Sequence, residues 1–314
     1  MERYDMVIAG SGIAGIAAAD AALEKGLKTL VLDTSRDVGF TLSGAMFISE
    51  STFRNNFSKF SNHINGQYKS VQWETNMGDT EETLKLKYPV YSMDREKLVR
   101  SMAVNAISRG ATLKIMSKVL SIKKNGDFID MECSMEGKKV TIQTTYFAMG
   151  HNNYDDPLLK HSKTCRKKSY YGNYSRGASM KPGKTPMLRI TGDASSFKVM
   201  ATWGNLWEKL SFKHDDHEDT SAINSSRVVG NVHDCLPETD KNIVVLGNLL
   251  GTTNLFGVDA GNSHRISKDT ITDLIDLGWD ESMERLRVNW SKYMGSNHGN
   301  DDLTRFLYHI PIGR

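Results

Sequence analysis

Near its start the chain carries a glycine-rich turn between two short apolar runs. The first run, Tyr4 to Ala9, leads into Gly10-Ser11-Gly12-Ile13-Ala14-Gly15 and then into an alanine-rich stretch. The second run ends at Asp33. Strand, glycine turn, helix, strand and terminal acid in this order predict a parallel β-α-β unit. The alternative interpretation is a tight turn in some other α/β unit.

Each part of this unit has a physical role in binding a nucleotide. Gly10 permits the sharp turn, Gly12 lets a pyrophosphate approach the backbone, and Gly15 lets helix and sheet pack closely. The free N–H groups and the dipole of the helix N-terminus favour the pyrophosphate, and Asp33 can accept hydrogen bonds from ribose hydroxyls. The candidate contact residues are Gly10, Gly12, Ile13, Ala14, Gly15, Asp33 and Thr34. The turn predicts an adenine dinucleotide and allows NAD and FAD equally.

Composition describes an ordinary soluble protein. Of 314 residues, 39% are hydrophobic and 25% charged, and a net charge of +3 gives no reason to expect a nucleic-acid partner. Three cysteines without paired spacing favour a reducing compartment and offer no metal site. The chain starts directly with a strand, so we expect no leader peptide and a cytoplasmic location. No apolar run is long enough to span a bilayer, although peripheral membrane contact stays open.

Later segments extend the predicted architecture. Asp94 to Ile107 has helical apolar spacing, with Asp94 as N-cap and Gly110 as stop. Four strand-like runs follow between Thr112 and Thr144, two of them joined by the hairpin signal Lys124-Asn125-Gly126-Asp127. The sequence therefore predicts that the first sheet continues into a small antiparallel layer.

The rest of the chain predicts a second sheet, followed by a strand and a helix that belong to the nucleotide domain. Alternating runs between Met187 and Val232 predict the second sheet. A buried strand ends at Gly247, a glycine-rich loop follows, and a helix runs from about Asn262 to Leu277. We predict a discontinuous nucleotide domain (1–150 and 241–280), a sheet region that covers the substrate (151–240) and a helical tail (281–314).

The order of these landmarks resembles the flavoprotein superfamily of p-hydroxybenzoate hydroxylase-like monooxygenases and geranylgeranyl reductases. The N-terminal glycine unit, Arg95 at the start of a long helix, and the late glycine loop match three landmarks of that superfamily. The resemblance implies an α/β fold, with a Rossmann-type FAD-binding domain and a second mixed or antiparallel β-sheet domain for the substrate. The cofactor-contacting residues that it implies in the later segments are Arg95, Gly247, Asn248, Gly257, Ala260, Gly261 and Asn262.

The late loop has a physical rationale beside the resemblance. A helix N-terminus directed at the flavin pyrimidine would stabilise the negative charge that builds there on reduction, and Ala260, Gly261 and Asn262 supply candidate amides. The alternative is a plain helix cap. Asn248 stands where the superfamily usually has aspartate, which removes a charge near the ribityl chain. His264 and Arg265 either contact the flavin edge or cap a turn.

Three further motifs have stronger structural than functional interpretations. Ala178 to Thr185 fits a relaxed phosphate loop, but a strand-like run follows where a helix is required. His214 to Asp219 contains metal-ligand residue types without the spacing of a metal site. The basic run Lys160 to Lys168 suits either an anionic partner, such as a substrate or a membrane surface, or an ordinary charged surface. We expect no metal.

The resemblance implies an FAD-dependent oxidoreductase that acts on a small organic substrate by monooxygenation or double-bond reduction. Aromatic residues in the predicted second sheet suit an apolar or aromatic substrate, or simply a core. No second nucleotide-binding turn is present, so NAD(P)H or a redox partner protein such as ferredoxin would donate electrons transiently. Catalytic residues are not predicted. The rival hypothesis is a binding protein or chaperone that keeps the scaffold without redox function.

Overall fold

The structure is a computed structural model. It describes residues 1–39, 46–74, 81–150, 167–178, 186–192, 196–204, 206–213, 225–233, 236–250 and 260–296. Within these ranges, no helix has both the length and the apolarity required to cross a bilayer.

The strands are numbered along the chain. They are β1 (Glu2–Ala9), β2 (Thr29–Leu32), β3 (Phe47–Ser49), β4 (Ile64–Glu74), β5 (Glu81–Met93), β6 (Thr112–Lys114), β7 (Ser117–Asn125), β8 (Phe128–Met135), β9 (Lys138–Met149), β10 (Lys167–Ala178), β11 (Met187–Gly192), β12 (Ser196–Trp203), β13 (Leu206–Lys213), β14 (Ser225–His233) and β15 (Ile243–Val245).

The α-helices are numbered in the same way. They are α1 (Ile13–Glu24), α2 (Glu50–Thr52), α3 (Arg95–Ser108), α4 (Ala260–Leu277) and α5 (Trp279–Ser296). A π-helical turn (Phe53–Phe57) and a 3-10 turn (Ser58–His63) continue α2, and a second 3-10 turn (Gly247–Leu250) follows β15.

The first sheet has the strand order β6-β2-β1-β9-β8-β7, with β15 also paired to β9. β6, β2, β1, β9 and β15 are parallel, whereas β7, β8 and β9 form an antiparallel meander. The chain leaves β1 first toward β2 and later returns to its other side at β9. Strand order therefore reverses beside β1, and the carboxyl ends of β1 and β9 form the crevice where such sheets bind ligands.

Two apolar cores sandwich this sheet. Met6 and Ile8 of β1 face the core shared with α1, α3 and α4, whereas Val7 and Ala9 face the core that contains Trp290 of α5. This alternation follows from the two-residue period of a strand, and burial on both faces explains why β2 and the last four residues of β1, Met6 to Ala9, are almost wholly apolar. Alanine-rich α1 is a good helix former and packs closely because its side chains are small.

The second sheet has the order β14-β10-β13-β12-β11-β4-β5-β3. Its described pairs are antiparallel except for the parallel pair β4 and β11, so it is mixed. The predicted fold class, a Rossmann-type unit with a second mixed or antiparallel sheet, is confirmed.

Several local predictions are confirmed as well. Asp94 caps α3 by accepting a hydrogen bond of 3.1 Å from the Lys97 N–H. The hairpin turn joins β7 to β8 with Gly126 at a positive φ. β3, β4 and β5 were not predicted; they lie within residues 1–150 yet pair in the second sheet. The division into domains remains a prediction.

Candidate cofactor site

The turn after β1 requires glycine at two positions for reasons internal to the protein. Gly10 has a φ of 106°, a conformation that other residues rarely adopt, and its N–H donates to the Leu32 carbonyl at 2.7 Å. A Cβ atom on Gly15 would overlap the carbonyl oxygen of Gly10. These two glycines therefore bring α1 against the end of β1.

Gly12 differs from Gly10 and Gly15. Its φ of −68° and ψ of −179° are open to any residue, and an added Cβ would meet nothing within 4 Å. Neither the backbone conformation nor the packing of the described residues requires glycine here. The space that a side chain would fill lies at the N-terminus of α1, where a ligand phosphate can approach the backbone closely.

The N-terminus of α1 has no anionic or side-chain partner of its own in the described structure. No side chain caps the helix, and its first turn contains no acidic residue. Ile13, Ala14 and Gly15 are all buried there. Because the first N–H groups of a helix lack partners within the helix, a buried and uncapped N-terminus calls for an external acceptor. A pyrophosphate supplies both acceptor oxygens and negative charge.

Asp33 directly follows β2 and links this strand to the glycine turn after β1. One carboxylate oxygen accepts from the Ser11 N–H at 2.7 Å and from the Ser11 hydroxyl at 2.5 Å, while the other accepts from the Ser35 N–H at 2.8 Å. Burial opposes ionisation of Asp33, but these hydrogen bonds outweigh burial and lower its pKa. The carboxylate is therefore held ionised as an acceptor beside the turn. Thr34 follows it and is exposed.

Arg95 is the first residue of α3, and its charged group is partly shielded from solvent. Its Nε is shielded from solvent and has no hydrogen-bond partner among the described residues, and burial lowers the pKa of the guanidinium to about 10. The chain that follows Asp33 runs beside this helix, since the Arg100 Nε donates to the Val38 carbonyl at 3.2 Å. A buried cation is costly unless an anion or several acceptors meet it.

Two later glycines close around the same turn. Gly247 has a φ of 58°, and an added Cβ would lie 2.8 Å from the Cβ of Ala14. The Gly150 N–H donates to the Ala9 carbonyl at 2.7 Å. The structure thus brings the ends of β1, β2, β9 and β15 together at the crevice, and contact between Gly247 and a cofactor remains a prediction.

The start of α4 packs against α2. A Cβ on Gly261 would overlap Thr52 in α2, so this glycine permits close packing between these helices. For Asn248, Ala260 and Asn262 the structure describes the backbone, which lies in the turn after β15 and in the first turn of α4. Gly257 lies outside the described residues. Contact between this segment and a flavin remains a prediction.

His264 lies one turn into α4 and is partly buried. Its ring meets Phe57 edge-on at 5.3 Å, and its Nδ1 has no described hydrogen-bond partner. Burial lowers its pKa to about 4, and the positive charges of Lys268 and Lys59 add to this effect. The imidazole is therefore neutral at physiological pH. Arg265 is exposed.

The remaining motifs fall mostly beyond the described ranges. The phosphate-loop pattern after Ala178, the stretch His214 to Asp219 and the basic run up to Arg166 all lie outside them. Of the residues that the structure does describe, none form a cluster able to hold a metal ion. Cys133 is buried in the meander, and burial raises its thiol pKa to about 11.

Residues 5–72 match the family described as FAD binding domain. This segment runs from β1 into β4 and contains the whole glycine unit.

The chain is also similar to a curated protein. Over 140 residues the chain is 30% identical to the digeranylgeranylglycerophospholipid reductase of Picrophilus torridus, a match that covers 40% of this chain and 33% of the relative. The match thus spans about a third of the length of that relative.

Solved structures show the fold over almost the whole chain. A geranylgeranyl bacteriochlorophyll reductase-like protein from Thermoplasma acidophilum superposes with a TM-score of 0.70 at 14% identity, covering 98% of this chain and 91% of that one. The p-nitrophenol 4-monooxygenase of Pseudomonas putida gives a TM-score of 0.71 at 10% identity, covering 98% and 89%. The predicted likeness to reductases and monooxygenases of this superfamily is confirmed for the fold.

The residues of the candidate site fit FAD. The open position at Gly12, the uncapped α1 N-terminus and the unpartnered Nε of Arg95 each provide what a dinucleotide pyrophosphate requires: space, N–H donors and positive charge. Sequence reasoning identified all three features but missed Ser11, which donates two hydrogen bonds to Asp33. The signal was present, because Ser11 is the only residue between the first two glycines and bears a hydroxyl.

Proposed function

We propose that the protein is an FAD-dependent oxidoreductase that acts on a small organic, apolar or aromatic substrate. The observation that carries this proposal is the pair formed by an open glycine, Gly12, and Arg95, whose shielded Nε has no described hydrogen-bond partner, in a chain with the fold of flavin-dependent reductases and monooxygenases.

The chain's own residues would bind and orient the cofactor. The amides of Ile13, Ala14 and Gly15 would hold the pyrophosphate, and Asp33, fixed by Ser11, would accept from the adenosine ribose. Arg95 would neutralise phosphate charge, and the N-terminus of α4 would place partial positive charge near the flavin. When bound, FAD supplies the redox chemistry, because no amino-acid side chain transfers hydride.

Two reactions remain candidates for this chain. The names of the compared proteins point to reduction in one case and to monooxygenation in the other. The electron donor would be NAD(P)H or a redox protein that binds transiently, because the sequence contains a single nucleotide-binding glycine turn. We place the reaction in the cytoplasm, on the basis of the cysteine usage.

Purified protein tests the proposal directly. We expect a yellow preparation whose visible flavin absorbance bleaches with dithionite. Arg95→Met should raise the dissociation constant for FAD about 10- to 100-fold, since a hydrogen-bonded charge contributes about 1.5–3 kcal/mol. The same variant should unfold no more easily than the parent in the absence of added FAD, because the Arg95 Nε has no described hydrogen-bond partner to lose.

Arg100→Met is the matched control. Arg100 lies on the same helix, but its exposed guanidinium pairs with Asp37 at 2.6 Å and Glu96 at 2.7 Å. This variant should keep the FAD affinity of the parent. A colourless protein that cannot be reconstituted with FAD would contradict the proposal and favour the binding-protein hypothesis.

Anaerobic and aerobic turnover then separate the two reactions. With NADPH as donor and a candidate substrate, a monooxygenase must consume oxygen and a double-bond reductase need not. Turnover under strict anaerobiosis would exclude an obligatory monooxygenase.

A further inference from the structure

A cavity of about 430 Å³ opens between α5 and the chain that leads into β15. Four apolar residues at helical spacing form one wall, on a single face of α5: Trp279, Met283, Leu286 and Trp290. The other wall consists of residues 236–239 and Val245. The volume lies within the range of about 300–1,000 Å³ that is usual for binding sites, and the lining is mainly apolar.

The walls of this cavity are held in place by hydrogen bonds from its two tryptophans. The Trp279 Nε1 donates to the Ile243 carbonyl at 3.3 Å, and the Trp290 Nε1 donates to the Leu250 carbonyl at 2.8 Å. Ile243 begins β15, and Leu250 ends the 3-10 turn that follows this strand. Because both indole rings are fixed, the cavity cannot close by a simple rotation of either ring.

The cavity is separate from the N-terminus of α1. Val245 faces the core that contains Trp290, whereas Val244 faces the core shared with α1. The two valines point to opposite faces of the first sheet, as neighbours in a strand do. A pyrophosphate at the α1 N-terminus therefore leaves this cavity open for another occupant.

The chain beyond α5 supplies an apolar segment of matching chemistry. α5 ends at Ser296, shortly after Ser291 at the rim of the cavity. Residues 297–302 are polar and rich in asparagine, glycine and aspartate, which favour turns. The residues that come next but three are almost wholly apolar: Phe306, Leu307, Tyr308, His309, Ile310, Pro311 and Ile312. An apolar run of this kind gains free energy when it is buried.

The connecting residues are long enough to reach the whole cavity. Nine residues, 297–305, separate Ser296 from Phe306. They can span about 30 Å when extended. Trp279, at the far end of the cavity, lies about 25 Å from Ser296 along the axis of α5, at about 1.5 Å per residue. The apolar segment can therefore fold back along α5 without disturbing the helix.

Charges at the rim complement those beside the apolar segment. Glu238 and Arg287 are exposed at the rim. Arg305 directly precedes the segment, and Asp301 and Asp302 lie a little before it. Exposed ion pairs contribute little to stability. Burial of apolar side chains against the two tryptophans therefore supplies most of the affinity, and the charges orient the segment.

We propose that residues 306–312 dock into this cavity and cover its tryptophans, so that the chain closes its own apolar groove beside β15. The docked segment packs on Trp290, whose indole holds the end of the turn that starts at Gly247. It therefore supports the part of the first sheet that leads to the crevice.

Maleimide labelling of cysteines introduced in α5 tests this docking in the whole 314-residue chain with FAD added. Arg287→Cys places a thiol at the rim of the cavity. Val288→Cys is the matched control and places a thiol in the groove between α4 and α5. The two positions are adjacent, and both are exposed. Mass spectrometry of the α5 peptide separates these thiols from the native cysteines.

The tail variant carries Phe306→Ser, Leu307→Ser and Ile310→Ser. In it we expect Arg287→Cys to react at least about tenfold faster than with the native tail, because a docked state populated about ten to one reduces access in that proportion. Val288→Cys should react equally fast with both tails. Equal rates at Arg287→Cys would overturn the proposal. Protection that rises with protein concentration would also overturn it and would assign the cavity to a second copy of the chain.

Amide hydrogen exchange gives a measurement that needs no variant. In the parent protein, the amides of residues 306–312 should exchange at least about tenfold more slowly than those of a synthetic peptide of the same sequence. Exchange at the rate of the peptide would overturn the proposal even if the tail variant folds poorly.

Discussion

The glycine turn after β1 and the buried polar cluster of the second sheet are built in opposite ways. The turn uses backbone: N–H groups, a helix N-terminus and the absence of side chains at three glycines within six residues. The cluster uses side chains from three strands, Tyr68, Ser92 and Glu208, of which the last two are 116 residues apart. The turn is therefore visible in a short stretch of sequence, whereas the cluster exists only after distant strands have paired.

The largest effect that tests this contrast is expected at Gly15. Gly15→Ala places a Cβ against the Gly10 carbonyl, where neither backbone segment can move easily, so we expect a loss of about 3 kcal/mol in unfolding free energy. Urea denaturation measures it. A variant as stable as the parent would mean that the turn tolerates side chains and that its glycines do not define it.

Removal of Ser92, the partner of Glu208, should lower the unfolding free energy. Removal of the Tyr68 hydroxyl should leave it nearly unchanged. Ser92→Ala removes a hydrogen bond from buried Glu208 and should cost about 1–3 kcal/mol of unfolding free energy. Tyr68→Phe should cost less than about 0.5 kcal/mol, since its hydroxyl has no described partner. Thermal or urea unfolding compares the two. Equal losses would show that the Tyr68 hydroxyl is satisfied within the protein.

Replacement of Gly12 should weaken FAD binding with little effect on the unfolding free energy. Gly12→Ala introduces a Cβ that meets no atom of the described protein, so stability should change by less than about 1 kcal/mol. FAD affinity should nevertheless fall at least about tenfold, because the methyl group occupies the space that the pyrophosphate requires. Fluorescence titration with FAD measures the affinity. Unchanged affinity would place the cofactor elsewhere.

Asp33 should give the smallest and the most pH-dependent effect. Its pKa is lowered in the folded protein, so its stabilising contribution is present above the unfolded value of about 3.9 and is lost as pH falls through the folded pKa. Asp33→Asn should therefore reduce the unfolding free energy by about 1 kcal/mol at pH 7, with the difference from the parent shrinking below about pH 4.

The control for Asp33 is Asp37→Asn on the same connection. Asp37 is exposed and pairs with Arg100 at 2.6 Å, so its replacement should cost about 0.5 kcal/mol or less. A loss at Asp33 that persists unchanged to pH 3 would show that shape rather than charge matters there.

The cofactor side of the molecule was largely predictable from local sequence. The glycine unit, the capped helix that starts at Arg95, the hairpin at Gly126 and the strand before Gly247 each carry their signal within a few residues, because they depend on backbone conformation and short-range hydrogen bonding. The second sheet was harder to predict, since Pro89 interrupts β5 and β4 joins the later strands only by pairing with β11, far along the chain. Their place in the second rather than the first sheet depends on pairing with β11.

The sequence by itself determined the β-α-β unit, the preference for an adenine dinucleotide and, through Arg95 and the late glycine, the candidates for holding FAD. Only the tertiary structure distinguished Gly12, which leaves room for a ligand, from Gly15, which leaves room for the protein itself. It also brought Ser92 and Glu208 within hydrogen-bond distance. The physical reason is that local conformation follows from neighbouring residues, whereas open space and contacts between distant strands exist only after the sheets have paired and curled.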